Sequence, residues 1–315
     1  MLVWLIDFDG KMENLALMRL STYHKRRGDE VHLRLGFSPP ELFERPDKIY
    51  ISCLFSWNRR EARRLASCWE GRAELSGTGI DYKKELPMEV QQCPPDYSLY
   101  GKSRAIGFIS RGCNNRCPWC VVWRKEGKLH RVSTAREVVG DFDSAIFLDN
   151  NHLALPDYRQ DLVWLAENQI AIDFNQGMDA KHVTEKAAEL LAACKWLPGS
   201  TIRLALDSCG RNAIVTRAVE RLERVGISRG RITVYALIGF AGLQSDIERL
   251  LLLHRLGVRV FPMGYRNLET GEEPMKEWKP SLYRKYRRLI VRMPMASSIW
   301  DDFKRDLTHE TIHAS

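Results

Sequence analysis

The feature that most constrains the fold of this chain is a repeated exchange between short apolar runs and amphipathic stretches. In residues 1–98 the runs "LVWLIDF", "EVHLRLG" and "KIYISCLF" have the length and composition of strands. Between them, "KMENLALMRLSTYHKRRGD" carries Leu15, Met18, Leu20 and Tyr23 at helical spacing and stops at Gly28. "NRREARRLASCWEG" reads as a helix with a basic outer face, closed by a glycine, and "RAELSGTG" as a short strand and turn. Strands that alternate with helices pair in parallel, because each crossover must return over the sheet. This segment is predicted to be a small, open, doubly wound unit. "KKELPMEVQQCPPDYSLYGKSR", with three prolines and little periodicity, follows as a linker, which places a domain boundary near residue 98.

A second series occupies residues 99–266. Its predicted strands are "AIGFIS", "SAIFLDN", "AIDFNQG", "TIRLALDS", "RITVYALIGF" and "VRVFPMGY". "VTEKAAELLAACKW", "NAIVTRAVERLERVG" and "LQSDIERLLLLHRLG" are helical stretches between them. Six βα units in a row predict a partial (β/α)6 TIM-type barrel, with an open flat sheet as the alternative. In barrels the chemistry gathers at the C-terminal ends of the strands. Those ends are polar here: Arg111, Asp149, Asn150, Asn175, Gln176, Asp207, Ser208 and Tyr265.

Residues 267–315 are less regular and form a basic C-terminal extension. The window 276–292, "KEWKPSLYRKYRRLIVR", holds seven Lys or Arg against one Glu, with Trp278, Tyr283 and Tyr286 interleaved. Such a run suits a phosphate backbone and stacked bases, although a solvated helix face gives the same pattern. "SSIWDDFKRDL" reads as a capped amphipathic helix. The formal charge of the whole chain is +8, compatible with an anionic partner but not demanding one. No apolar run is long enough to span a bilayer, and no secretion signal is apparent, so a cytoplasmic location is expected. In a reducing compartment cysteines are read as ligands or core before disulfides.

Of eight cysteines, five are scattered, and three fall within "SRGCNNRCPWCVVW" as C-x3-C-x2-C: Cys113, Cys117 and Cys120. Thiolates select zinc, copper(I) or iron–sulfur clusters. A structural zinc site closes four ligands, often as two short pairs, and this chain has no second CxxC pair. His130 lies ten residues beyond Cys120 on a basic, polar stretch. A four-iron cubane held by three cysteines leaves one iron open to a substrate or cofactor. Asn114, Asn115 and Arg116 suit a tight loop with amide donors for the cluster sulfurs.

"CNNRCPWC", with its aromatic residue directly before the last cysteine and its position after a first strand, resembles the cluster loop of radical S-adenosylmethionine (radical SAM) enzymes. The resemblance covers roughly residues 99–265. It implies that Cys113, Cys117 and Cys120 ligate a [4Fe–4S] cluster whose fourth iron is chelated by the amino and carboxylate groups of SAM. Reductive cleavage would then give methionine and a 5′-deoxyadenosyl radical that abstracts a substrate hydrogen, with a reducing donor such as flavodoxin or ferredoxin as partner. It further implies SAM contacts at Trp119, at Asp149 and Asn150 (where "FLDNN" stands in place of the family's Gly-Gly-Glu stretch), at Gln176, Arg203 and Asp207, and at Ile238 and Gly239 of "YALIGF". Strand capping, local pairing or core packing would account for several of these residues equally well.

An open α/β domain ahead of the barrel, and the junction "PPDYSLYGKSRAIGFISRGCNNRC", resemble the radical SAM subgroup with an N-terminal cobalamin-binding domain. The whole would then be an α/β protein: a small open Rossmann-like (cobalamin-binding-like) domain followed by a partial barrel. The chain lacks a D-x-H-x-x-G stretch and the domain is short, so a vestigial domain without corrinoid is favoured over bound cobalamin and a cobalamin-dependent methyltransferase. A second cluster on Cys53, Cys68 and Cys93, as in methylthiotransferases, fits poorly with their strand and helix contexts. The substrate is left open between nucleic acid, peptide and small metabolite. The reading of a different class is a nucleic-acid-binding protein with a structural metal loop.

Overall fold

The structure is a computed structural model and describes residues 1–36, 45–69, 71–267, 270, 272 and 305. The basic window 276–292, its aromatics and the expected helix near 298–308 lie outside the described residues. Contacts divide the chain into two units, one built on Met1–Gly107 and one on Phe108–Asn267.

In the first unit, β1 (Leu2–Asp7), β2 (Glu30–Leu35), β3 (Lys48–Ser52) and β4 (Ala73–Ser76) form one sheet in the order β2-β1-β3-β4. Every pairing is parallel. The helices are α1 (Leu15–Arg26), α2 (Arg59–Ser67) and the single turn α3 (Met88–Gln91), and a short strand β5 (Ala105–Gly107) ends the unit. Strand alternation divides the core by face. Trp4, Ile6, Ile49 and Ile51 pack with Leu65 of α2 and with Trp69, whereas Val3 and Leu5 pack with Leu17, Leu20 and Val90 of α1 and α3. Both faces of the sheet are therefore covered, as parallel sheets require. α1 begins where Asn14 accepts from the amides of Ala16 and Leu17. It ends before Gly28, whose φ of 79° lets the chain turn back into β2.

The crevice of such a sheet lies where the connections leave β1 and β3 in opposite directions. Here its polar groups bond to one another. Asp9 accepts from the amides of Leu54 (2.7 Å) and Phe55 (3.0 Å) and from Asn58 (3.0 Å). Tyr100 donates to the buried Asp7 (2.7 Å), and Asn14 donates to Ser52 (2.8 Å). Burial leaves the Asp7 carboxyl above its ordinary range and drives the Tyr100 hydroxyl well above its own. The loop after β4 closes directly on the loop after β3: a Cβ at Gly77 would lie 2.3 Å from the Cys53 carbonyl.

The second unit contains β6 (Ser110–Arg111), α4 (Val122–Lys125), β7 (His130–Arg131), α5 (Ala135–Val139), β8 (Ser144–Phe147), α6 (Tyr158–Glu167), β9 (Ala171–Phe174), α7 (Glu185–Ala193), β10 (Lys195–Trp196), β11 (Ile202–Leu206), α8 (Asn212–Arg224), β12 (Ile232–Ile238), α9 (Leu243–Arg255) and β13 (Arg259–Gly264). Strands β8, β9 and β10 are neighbours in parallel, and so are β11, β12 and β13. One parallel bridge, Met178 to Leu204, links the two groups. The chain is α/β with parallel sheets. Instead of six strands in one continuous ladder, the described residues give two parallel groups.

Two sequence expectations are corrected. "AIGFIS" is not one strand: it breaks into β5 and β6, and β6 turns away to pair antiparallel with β7. The helix expected over 183–196 stops at Ala193, because Cys194 is extended (ψ 144°) and Lys195–Trp196 pair with β9. The outer face of the second group is fully apolar: Ile202, Leu204 and Leu206 of β11 and Ile232, Val234, Ala236 and Ile238 of β12 are buried. The opposite face carries Arg203, Tyr235, Phe261 and Met263 and is more open; Phe261 is 42% and Met263 46% exposed.

Candidate metal-cluster site

The three clustered cysteines lie on an excursion of residues 112–129 that leaves and rejoins the unit through a narrow neck. In the neck, Ser110 pairs with Arg131 and Arg111 with His130. Gly112 is the first residue beyond it, at φ 78°, and an added Cβ would lie 2.3 Å from the Lys128 carbonyl and 2.8 Å from that of Gly127. Only glycine fits such an approach at such a φ. Glu126 fastens the two sides, accepting from the Gly112 amide (2.9 Å), Arg111 (2.9 Å) and Asn150 (2.9 Å). The Cys113 amide donates across the neck to Gly127 (3.1 Å).

Inside the loop the thiols are free and half-buried. The "CPWC" segment makes a turn in which the Cys120 amide donates to the Cys117 carbonyl (3.1 Å); the Trp123 indole donates to the same oxygen (3.0 Å). Cys113 Sγ accepts from the Asn115 amide (3.4 Å) and faces Asn151 Nδ2 at 3.9 Å. Burial, then the neighbouring thiols, push Cys117 above the ordinary thiol range, and burial chiefly does so for Cys120. Each of the three lies within electrostatic reach of the others. Among the described residues no three His, Cys, Asp or Glu side chains converge on a point where one ion would sit. Cluster ligands need not converge in that way, since each thiolate binds a different iron. Three soft, unpaired donors on one loop with backbone and side-chain amides beside a sulfur therefore fit an iron–sulfur cluster better than a mononuclear centre.

Polar contacts carry the loop to the strand ends. Asp179, after β9, is 6% exposed and accepts from Asn115 (2.7 Å), Arg211 (2.8 Å) and the Lys181 amide (3.1 Å). Burial alone would raise its carboxyl; those hydrogen bonds and the Arg211 and Lys181 charges outweigh burial and hold it below the ordinary range. Lys181 also donates to Asn115 (2.8 Å). Trp119 donates from its indole to Asp207 after β11 (3.3 Å) and meets Phe240 after β12 edge-on at 5.0 Å; Phe240 in turn meets Tyr265 at 4.9 Å. Burial raises the Asp207 carboxyl, and its charge is felt by both Cys117 and Cys120.

The remaining sequence candidates divide. Asn150 reaches the loop through Glu126. Gln176 is exposed and has no polar partner among the described residues. Asp149 is 3% exposed and turned inward: it accepts from the amides of Ile109 (3.1 Å) and Ser110 and from the Ser110 hydroxyl (2.6 Å), tying β8 to the segment before the neck. Burial raises its carboxyl despite those bonds. Arg203 is paired with Asp173 and donates to the Phe174 carbonyl (2.9 Å). Ile238 is buried in the core, and the Gly239 amide donates to Asp246 (2.7 Å).

Sequence reasoning missed Glu126, Asn151, Asp179 and Arg211, which sit at loop positions that no periodicity marks. It also missed the fully buried pair Asp246–Arg249 of α9. Arg249 donates to the carbonyls of Leu206 (2.9 Å) and Leu237 (2.7 Å), so it joins the ends of β11 and β12. An i,i+3 acid–base pair leading into "LLLL" was the available signal.

No protein-family description matches this chain, and no curated protein matches it. Among solved structures, SuiB from Streptococcus suis is similar at a TM-score of 0.42 and 14% identity, over 59% of this chain and 45% of that one. SuiB bound to the precursor peptide SuiA gives 0.41 and 15%, over 59% and 44%. SuiB bound to S-adenosylmethionine gives 0.41 and 15%, over 59% and 46%. The chain spans less than half the length of these solved chains.

Proposed function

We propose that this chain is a radical SAM enzyme in which Cys113, Cys117 and Cys120 hold a [4Fe–4S] cluster and SAM takes the fourth iron. The observation that carries the reading is the loop: three free, half-buried thiols in the C-x3-C-x2-C pattern, closed by a two-strand neck and bonded to the ends of the parallel strands. When bound, the cluster and SAM supply a reductively generated 5′-deoxyadenosyl radical.

The chain's own residues do the positioning. Glu126 and Gly112 fix the neck, Asp179 holds the first half of the loop through Asn115, and Trp119 holds the second half through Asp207. Trp119, Phe240 and Tyr265 form a chain of edge-on aromatic contacts that backs the loop. We assign SAM contacts to Asn150, Gln176, Asp207 and Trp119. Asp149, Arg203, Ile238 and Gly239 we assign to the scaffold, because their bonds and packing lie among the strands and α9, whereas Asn150, Trp119 and Asp207 bond at the cysteine loop and Gln176 is exposed. Asp7, Asp9, Asn14 and Tyr100 are each occupied by hydrogen bonds within the first unit, which supports a unit without corrinoid; cobalt analysis of anaerobically purified protein tests this.

The test of the main reading is anaerobic reconstitution followed by iron and sulfide analysis, electron paramagnetic resonance and product analysis. The wild type is expected to hold roughly four irons per chain and to release 5′-deoxyadenosine from SAM on reduction. Cys113→Ala is expected to lose both. Deoxyadenosine release undiminished in Cys113→Ala would sink the ligand assignment.

A further inference from the structure

We propose that Asn151 is a positioning residue for the cluster: its side-chain amide donates to the Cys113 thiolate and thereby sets the potential at which the cluster takes its electron. The inference rests on the radical SAM reading and adds a residue that acts through one of the three ligands.

Asn151 stands at the head of the turn His152–Ala154 that follows β8. At such a position an asparagine side chain ordinarily accepts from an amide two or three residues on. Here it makes no such bond. The residue is 2% exposed, so its amide is shielded from water. Oδ1 accepts from the Asp179 amide (3.3 Å), and Nδ2 faces Cys113 Sγ at 3.9 Å. These two contacts fix which way round the side chain lies. A backbone N–H can only donate, so the oxygen must meet Asp179 and the nitrogen must meet the sulfur. Without that sulfur, a buried amide donor would be stripped of water and left without a partner among the described residues.

The contact closes a ring of hydrogen bonds around one sulfur. Cys113 Sγ accepts from the Asn115 amide (3.4 Å), the Asn115 side chain donates to Asp179 Oδ2 (2.7 Å), and the Asp179 amide returns to Asn151. The two donors on the sulfur therefore come from different segments, one inside the cysteine loop and one after β8. No side-chain amide reaches Cys117 or Cys120 among the described residues; Cys120 meets the backbone amide of Val122. A neutral thiol is a weak acceptor, which suits a separation of 3.9 Å. A thiolate is a charged acceptor and strengthens the same bond. An N–H aimed at a ligating sulfur draws charge from it, so the sulfur gives less to its iron and the reduced cluster is favoured. An apolar side chain of the same size would fill the space and do none of this.

The experiment is a redox titration followed by electron paramagnetic resonance, on the anaerobically reconstituted full chain, with dithionite as reductant and no SAM. Iron and sulfide analysis precedes it, and circular dichroism confirms that each variant folds. Asn151→Asp keeps the shape and the acceptor for the Asp179 amide but puts an anionic oxygen where the donor was. Asn151→Leu has neither donor nor acceptor. Both are expected to load iron as the wild type does. At the potential that leaves half of the wild-type clusters reduced, the ratio of reduced to oxidised cluster is expected to fall about tenfold in Asn151→Leu. That is a downward shift of about 59 mV for one electron, and Asn151→Asp shifts further. Midpoints equal to the wild type, a rise in either variant, or failure of both variants to hold iron would each overturn the proposal. If one variant alone loads, its midpoint decides. A wild type that holds no four-iron cluster would overturn the radical SAM reading itself, and this inference with it.

Discussion

Arg249 is the largest fully buried side chain among the described residues, and its charge is fully compensated. Its guanidinium meets Asp246 and the carbonyls of Ser245, Leu206 and Leu237, while the other oxygen of Asp246 accepts from Gly239. One side chain thereby fixes the last turns of β11 and β12, the segments that present Asp207 and Phe240 to the cysteine loop. Arg249→Met takes the countercharge from the buried Asp246 carboxylate and a guanidinium donor from each of two strand carbonyls, so unfolding in urea is expected to show a loss of about 3–5 kcal/mol. Asp179→Asn asks a narrower question. It keeps the shape but turns one acceptor oxygen into a donor facing Asn115 or Arg211, so reconstituted iron content is expected to fall while the thermal midpoint moves little. An unchanged iron content would remove Asp179 from the loop's support.

At the scale of elements, the cysteine loop shows what the sequence made legible and what it hid. The thiol spacing, the strands that end at Asp149, Gln176 and Asp207, and the two-faced helices all follow from local patterns, because burial imposes periods of about two and 3.6 residues. The neck does not. Ser110 and Arg111 find their partners about twenty residues onward, across a loop with no hairpin signature, so "AIGFIS" looks like one continuous strand. The polar supports were hidden for a related reason: a loop residue such as Glu126 or Asp179 is chosen by its partners in space, and those partners are distant in sequence. Gly112 tests the neck directly. Gly112→Ala forces a methyl group into the Lys128 carbonyl at a φ that alanine resists. The variant is expected to keep its far-ultraviolet circular dichroism and lose most of its iron; normal iron loading would show the neck to be dispensable.

For the whole molecule, each unit buries a histidine, and the two differ in their partners. In the first unit His24 is hydrogen-bonded to Asp29 (2.7 Å) and Tyr50 (3.2 Å). The buried histidine of the second unit is not. His152 is 1% exposed and stacks on Phe174 at 5.1 Å, and neither of its ring nitrogens is hydrogen-bonded. Asp149 and Asp161 attract a proton toward it and Arg131 opposes one, but burial dominates and lowers its pKa from 6.5. Above about pH 6.5 the ring is neutral in both folded and unfolded chains and contributes nothing to pH dependence. As pH falls through that value, the unfolded chain gains a proton that the folded one refuses, so stability drops until the depressed folded pKa is reached. His182, lowered by partial burial, acts in the same direction, so the comparison must be with a variant. His152→Phe removes no hydrogen bond and keeps an aromatic ring against Phe174. Urea unfolding at intervals from about pH 8 to 5 is expected to give matching stabilities at the alkaline end and a shallower acid decline for the variant. Parallel declines would mean that His152 takes its proton in the folded protein, with Asp149 or Asp161 supplying the compensation that the ring otherwise lacks.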